Sequence, residues 1–346
     1  MNIYRILKNF SRIKSWRLKL AGLLAFHVTG RRYIGVFLDP VMACNLRCRM
    51  CYMSDPDKVH RALPQQGKIS RDTLDYIAET FFPYAVKLQI GCATEPTLYP
   101  QLPDIVRKAR QHGVPYISIT TNGQLLSESL LRDMLSNGLD EVTLSVHGLD
   151  KPTYEDMMRG GKFEKFLQLI NTLKAVKPDF PRLQVRVNFV MNADNTSSLR
   201  RLYEVFDGLH IDILQLRPIQ NMGKTSYDNF STDEILELYD SVVAPIKERC
   251  KKDGTICLCP TKDQISLLDK EEKTKFDPLV DYLETLTYYY ISHNGVNKED
   301  FHWGEENFRQ YHSRKHTAGN LLKMIWNPKY KSFDTHSTRK LNYDIS

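Results

Sequence analysis

Ile34-Gly35-Val36-Phe37-Leu38 runs through Asp39–Ala43 into Cys44-Asn45-Leu46-Arg47-Cys48-Arg49-Met50-Cys51. A short run of apolar and β-branched residues has the length and composition of a buried strand. It empties directly into a loop with three cysteines in eight residues. Iron–sulfur clusters are usually held by four thiolates. Three in one loop would hold three irons of a cubane and leave the fourth open to a ligand. Zinc binding and simple burial stay open at this point. Structural zinc takes four closed ligands, so Cys92 or a histidine would have to complete it. Free cysteines also pack as small buried side chains.

Further strand-length runs follow at Val86–Ile90, Tyr116–Thr120, Glu141–Val146, Leu183–Val190 and Asp212–Leu216. Helical patterns separate them. Ser70 is placed to cap a helix over Asp72–Phe82. Leu102–His112 and Ser127–Ser136 read as crossovers. Phe163, Phe166, Leu167, Ile170 and Leu173 share one helical face, and Thr196–Phe206 reads as another helix. Six strands with helical crossovers predict an α/β fold with a parallel sheet and right-handed connections. Curled, it forms a partial (β/α)6 TIM-type barrel, with functional groups at the C-terminal ends of the strands. After about residue 220 the alternation stops. Residues 221–346 read as a small α+β C-terminal domain. It has a helix from Ser231–Glu234, a strand at Tyr288–Ile291, a turn at His293–Gly295 and a last helix near Leu321–Trp326.

The chain has 346 residues and a formal net charge of +7. Residues 1–33 hold eight of the 48 Lys and Arg and no Asp or Glu, leaving 40 basic against 41 acidic residues elsewhere. A near-neutral body does not suit a nucleic-acid surface. Seven cysteines, an odd number with three crowded together, do not form a disulfide framework and fit a reducing, cytoplasmic setting. The apolar run Leu20–Val28 lacks a small-residue cleavage site, so export is not expected.

The segment Ala43–Tyr52 resembles the cluster loop of the radical S-adenosylmethionine superfamily, and the resemblance covers about residues 34–220. It implies a six-stranded partial barrel and two cofactors, a 4Fe–4S cluster and S-adenosylmethionine. Cys44, Cys48 and Cys51 would be the metal ligands. It also implies reductive cleavage of S-adenosylmethionine to a 5′-deoxyadenosyl radical that takes hydrogen from a substrate. Gly91-Cys92-Ala93-Thr94-Glu95-Pro96 is similar to the family's segment for the cosubstrate ammonium, which assigns Thr94 and Glu95. Asn122 lies in Thr120–Gly123 after the third strand. Ser145 and Arg159 match the family's ribose and carboxylate contacts, and Asn188 is a further ribose candidate. Met50 stands where the family often has an aromatic residue. His147 stands where many relatives have Asp. No residue is assigned as catalytic acid, base or hydrogen donor. The resemblance implies an electron donor such as flavodoxin or ferredoxin and a substrate that is a peptide, lipid or small molecule.

Gly319–Asn327 resembles part of the cysteine-bearing SPASM extension of many relatives. Here no cysteine follows Cys259, so the segment is expected to cap the barrel as a degenerate SPASM-like domain. Residues 1–33 are expected to form a basic amphipathic arm. Ile3, Ile6, Leu7, Phe10, Ile13, Leu20, Leu23 and Leu24 follow helical spacing on one face, with Arg5, Lys8, Arg12 and Lys19 largely opposite and Lys14 and Arg17 blurring the pattern. It would either meet an anionic membrane through residues 1–28 or pack under the barrel. The competing function is a zinc-stabilised, non-enzymatic binding module.

Overall fold

Alternation inside the strands decides what each face of the sheet meets. The computed structural model describes residues 13, 15–55, 57, 67–220, 225–227, 230–267, 278–327 and 344–345. Within them β1 (Ile34–Leu38), β2 (Ala85–Ile90), β3 (Ile117–Thr121), β4 (Glu141–Ser145), β5 (Gln184–Met191) and β6 (Ile213–Pro218) pair in sequence order, all parallel. Helix α1 (Trp16–Val28) precedes β1. The crossovers are α2 (Arg71–Phe81), α3 (Leu102–Gln111), α4 (Glu128–Ser136), α5 (Lys151–Met157) with α6 (Phe163–Val176), and α7 (Leu202–Val205). Ser70 caps α2 as expected, its hydroxyl accepting from Thr73 N, and Ser127 caps α4 through Leu130 N.

Every second strand residue is aliphatic and fully buried under the helices: Val36, Leu38, Leu88, Ile90, Ile117, Ile119, Val142, Leu144, Val185, Val187, Leu214 and Leu216. Each such side chain contributes roughly 1.5–3 kcal/mol by leaving water. In β2–β6 most of the alternate residues are polar and several bond to one another across strands on the inner face, as described below; in β1 they are Gly35 and Phe37.

Thr196–Phe206 is not one α-helix. It is a 3-10 turn over Thr196–Arg201 followed by the short α7. Local side chains compete with the helical ladder there. Asn195 accepts from Asn192 N (2.8 Å), and the Thr196 and Ser198 hydroxyls donate to Asn192 O (2.7 Å) and Asn195 O (2.8 Å).

Residues after 220 add α8 (Asp233–Leu238), α9 (Ala244–Asp253), β7 (Ile256–Cys259), α10 (Lys262–Ser266), α11 (Pro278–Thr287), β8 (Tyr288–Ser292), β9 (Gly295–Val296), α12 (Phe308–Arg314), α13 (Thr317–Trp326) and β10 (Asp344–Ile345). Two of these strands join the same parallel sheet, β7 along β6 and β8 along β1. The short β9 and β10 add antiparallel edges. The order is β10-β7-β6-β5-β4-β3-β2-β1-β8-β9. Among the described residues no ladder joins β7 to β8, so the barrel stays open. Last-helix residues begin at Thr317, earlier than the sequence pattern suggested.

Of the expected arm, Ile3, Arg5, Ile6, Leu7, Lys8, Phe10, Arg12 and Lys14 lie outside the described residues. Helix α1 lies against α13, with Leu20 fully buried. No described helix is long and apolar enough to cross a membrane.

Two buried histidines give the fold an acid limit. His147 accepts from Val190 N through Nδ1 (3.2 Å). His312 lies between Tyr289 OH and Thr317 Oγ1, each at 2.8 Å. Burial, aided by the Arg217 charge at His147 and by His27 at His312, pushes both down to about 3. Their folded values lie below the unfolded value, so the unfolded chain takes up protons first and stability falls with pH. Loss begins below about pH 6.5 and continues toward pH 3. Between pH 7.5 and 5.5 each histidine should cost about 1.4 kcal/mol of stability. Urea unfolding at the two pH values checks this. An unchanged midpoint would remove both histidines from the account.

Candidate active site

The cysteine loop leaves the C-terminal end of β1 and is fixed before any metal is considered. Cys51 N donates to Cys48 O (2.9 Å), and the Ser54 hydroxyl reaches Cys48 O (2.7 Å) and Cys51 O (2.6 Å). Leu46 N lies 3.4 Å from Cys44 Sγ and Met53 N 3.5 Å from Cys51 Sγ. The loop is docked on the α5 region by Arg47 N to Arg159 O (2.9 Å) and Arg49 N to Met157 O (3.0 Å). The Arg49 guanidinium pairs with Asp156 and with Asp194 (3.0 Å) and sits 5.3 Å from the Tyr227 ring centre.

All three thiols are partly buried and free. Burial pushes each upward, and at Cys48 the other two cysteines add to it. Crowded, desolvated thiols surrender protons only to a strongly cationic centre. The donor set, soft sulfurs with backbone N–H groups already turned to two of them, fits an iron–sulfur cluster. It fits mononuclear zinc less well. Among the described residues no three His, Cys, Asp or Glu side chains converge on one ion. Cys92, the candidate fourth ligand, turns its Sγ toward Gln89 O (3.8 Å).

Glu95 and Asn122 meet beside this loop. The Glu95 carboxylate, 2% exposed, accepts from Thr121 Oγ1 (2.7 Å), Asn122 N (2.8 Å), Thr97 Oγ1 (2.6 Å) and Thr97 N (3.2 Å). Burial raises its pKa against the pull of those four donors. The carboxylate therefore ties the loop after β2 to the loop after β3. Asn122 Nδ2 donates to Asn45 Oδ1 (2.9 Å) and lies 3.9 Å from Cys44 Sγ.

Sequence reasoning missed Asp39. It directly follows β1 with no exposed surface, and four donors converge on its carboxylate: Cys92 N (2.8 Å), Ala93 N (3.1 Å), Thr94 Oγ1 (3.0 Å) and, from β8, Tyr290 OH (2.7 Å). The Thr94 hydroxyl also reaches Val41 O (2.7 Å). Gly91 at φ +79 is required, because a Cβ there would lie 2.5 Å from Thr120 O.

Ser145 and Asn188 are direct neighbours across β4 and β5. Asn188 Oδ1 accepts from Arg186 Nε (2.9 Å), and Arg186 also binds Gln215 Oε1. Arg159 is exposed, with its carbonyl held against the cysteine loop. Deeper in, Glu141 is fully buried, bonded to Tyr116 OH (2.5 Å) and Thr143 Oγ1 (2.7 Å). Burial opposes its charge, but Lys87 and Arg186 hold it below the ordinary carboxylate range. Gln89 Nε2 reaches Thr120 Oγ1 (3.3 Å). The inner face is thus a polar, hydrogen-bonded lining, closed at the N-terminal end of the strands by Tyr116, Ile213 and Leu258. The signal was the strict alternation in Val86–Ile90, Glu141–Ser145 and Gln184–Asn188.

Cys250, Cys257 and Cys259 lie buried at α9 and β7, part of the hydrophobic core. They are remote in sequence and topology from the β1 loop.

Comparison with known proteins agrees with this layout. A probable GTP 3′,8-cyclase of Sulfurisphaera tokodaii is 28% identical over 214 residues, 60% of this chain and 62% of that protein. The chain thus spans about three-fifths of the length of the curated relatives it matches. Streptococcus suis SuiB bound to S-adenosylmethionine superposes with a TM-score of 0.58 at 14% identity, covering 89% of this chain and 72% of that one. The anSMEcpe structure with bound AdoMet gives a TM-score of 0.56 at 16% identity, covering 89% and 88%. At such identities the two structures establish the shared fold alone. Residues 40–197, which carry the cysteine loop and the strand-end loops around it, match the model of the radical SAM superfamily.

Proposed function

We propose that this chain binds a 4Fe–4S cluster through Cys44, Cys48 and Cys51 and cleaves S-adenosylmethionine to abstract hydrogen from a small polar substrate inside the barrel. The observation that carries this is the three-cysteine loop, prearranged at the mouth of an open parallel barrel with no fourth cysteine among the described residues turned toward it. When bound, such a cluster supplies one electron that breaks the S–C5′ bond of the cosubstrate.

The chain's own residues do the placing. Glu95 acts through position, since its oxygens already serve the loops after β2 and β3. The cosubstrate ammonium then meets the carbonyls of residues 91–94 in the field of that buried carboxylate. Thr94 shapes the same loop through Asp39. Arg159, exposed at the mouth, suits a carboxylate through its planar fork of donors. Ser145 and Asn188 offer adjacent polar groups to the ribose, and Asn122 sits between them and Cys44. Below, Glu141, Arg186 and Gln215 make a lining that favours a hydrogen-bonding molecule over a lipid tail. Asn45 and Arg47 leave the loop's outer side exposed for a reductant such as flavodoxin or ferredoxin. Residues 1–33, 34–220 and 221–346 would act as arm, catalytic barrel and cap.

Anaerobic reconstitution tests the proposal. The protein should turn brown, hold about four irons and release 5′-deoxyadenosine from S-adenosylmethionine with dithionite. A chain that stays colourless, or that instead takes up one zinc, would leave the binding-module reading standing.

A further inference from the structure

Among the described residues, helix α1 is covered on one side. Trp16, Leu20, Leu23 and Leu24 face the core. The opposite stripe is apolar too, with Leu18, Phe26 and Val28 exposed at 66%, 46% and 67% and Ala21 and Ala25 between them. Helix α13 repeats the arrangement. Leu321 and Met324 are buried, while Leu322 and Trp326 stand out at 50% and 75%. The helices pack against each other on the same core. With Ile13, these positions account for six of the eight large hydrophobic side chains exposed among the described residues. An apolar stripe along the outward face of a surface helix marks an interaction site.

The expected apolar face is present in Leu20, Leu23 and Leu24, but the side opposite it is apolar as well rather than charged. Charge says what covers it. Neither helix contains an acidic residue. Residues 1–33 bring eight Lys and Arg without an Asp or Glu, and Lys323 stands exposed on α13 next to Leu322. Apolar side chains, a projecting tryptophan and two helices that carry Arg17, Lys19 and Lys323 but no acid are the composition of an element that lies in the interface of an anionic bilayer.

We propose that α1 and α13 together form a docking face for an anionic membrane surface, with Leu18, Phe26, Val28, Leu322 and Trp326 inserted below the headgroups. The face does not depend on the radical chemistry. It lies on the side of α12, whose Arg309 bonds Tyr84 OH just ahead of β2, and so at the N-terminal ends of the strands, away from the cysteine loop.

Sedimentation of the full anaerobic chain with phosphatidylglycerol vesicles and with phosphatidylcholine vesicles tests this, with no cluster readout required. The chain should pellet with the anionic vesicles, release them as salt rises, and show a blue shift of tryptophan emission. That shift should be lost in Trp326→Ser. The double variant Leu322→Ser/Trp326→Ser, exposed at both positions, should keep its circular dichroism. It should partition roughly tenfold less well, given the apolar area it removes. The proposal is overturned by an absence of vesicle binding, by binding that the double variant leaves unchanged, or by a dimer without vesicle affinity that the double variant dissociates. The last result would assign the face to a second copy.

Discussion

Cys44→Ala, Cys48→Ala and Cys51→Ala should each abolish iron uptake and bring 5′-deoxyadenosine formation to background. Cys250→Ala should retain both. The three sulfurs share one short loop whose backbone is fixed from two sides, by Ser54 within the loop and by Arg159 O and Met157 O across from it. These anchors lie outside the sulfurs, so loss of a ligand should leave the protein folded and unable to hold the cluster. The burial that raises the three thiols means that two of them alone offer a poor site, because each thiolate exists only when the cationic centre compensates it. Cys250 is buried in the core at α9, and its truncation should cost stability without touching iron. Iron analysis and anaerobic turnover of the four variants decide the matter. A loop variant that keeps about four irons and its turnover would detach the triad from the chemistry.

The second large effect is expected at Asp39. Asp39→Asn should raise the KM for S-adenosylmethionine at least tenfold, about 1.4 kcal/mol, while iron content stays unchanged. Four donors point at one buried carboxylate. An amide can accept at one oxygen only, and its NH2 would be turned toward groups that are themselves donors. Leaving buried donors unpaired costs roughly 1–3 kcal/mol each, so the loop at 91–95 should loosen. Tyr290→Phe removes one of the four and gives a graded control, with a smaller rise in KM and a loss of about 1–2 kcal/mol in stability. Because Tyr290 belongs to β8, this variant also asks whether the C-terminal segment supports cosubstrate binding. A purely structural Asp39 would lower stability and leave KM where it was.

Much of this was readable from the chain. Ile34–Leu38, Glu141–Val146 and the other early strands announce themselves because parallel strands are buried on the helix side and leave an aliphatic row. Ser70 and Ser127 announce helix starts because a hydroxyl is the simplest partner for an orphan N–H. The cysteine loop is legible because its ligands are local in sequence. Asp39 was not, since its partners come from residues 92–94 and from residue 290, and such distant convergence leaves no local pattern. Glu95 was found, but its carboxylate's engagement by Thr121 and Asn122 depends on how two loops meet. The placement of β8 was missed for a similar reason. Tyr288–Ser292 has the composition of any strand, and its ladder with β1 is backed by partners distant in sequence, Tyr289 against Phe81 (5.6 Å between ring centres) and Phe308 (5.6 Å). Thr196–Phe206 misled because its apolar spacing is helical while its Asn, Thr and Ser side chains divert the backbone bonds.

A sheet whose two ends never meet must still avoid growing by addition of further chains. Among the described residues each terminus of the ladder is guarded by a two-residue stub running against the grain, Gly295–Val296 on one flank and Asp344–Ile345 on the other. Such a stub offers an incoming strand almost no length to grip. The gap that admits molecules to the lumen can thereby persist without becoming a seed for self-association.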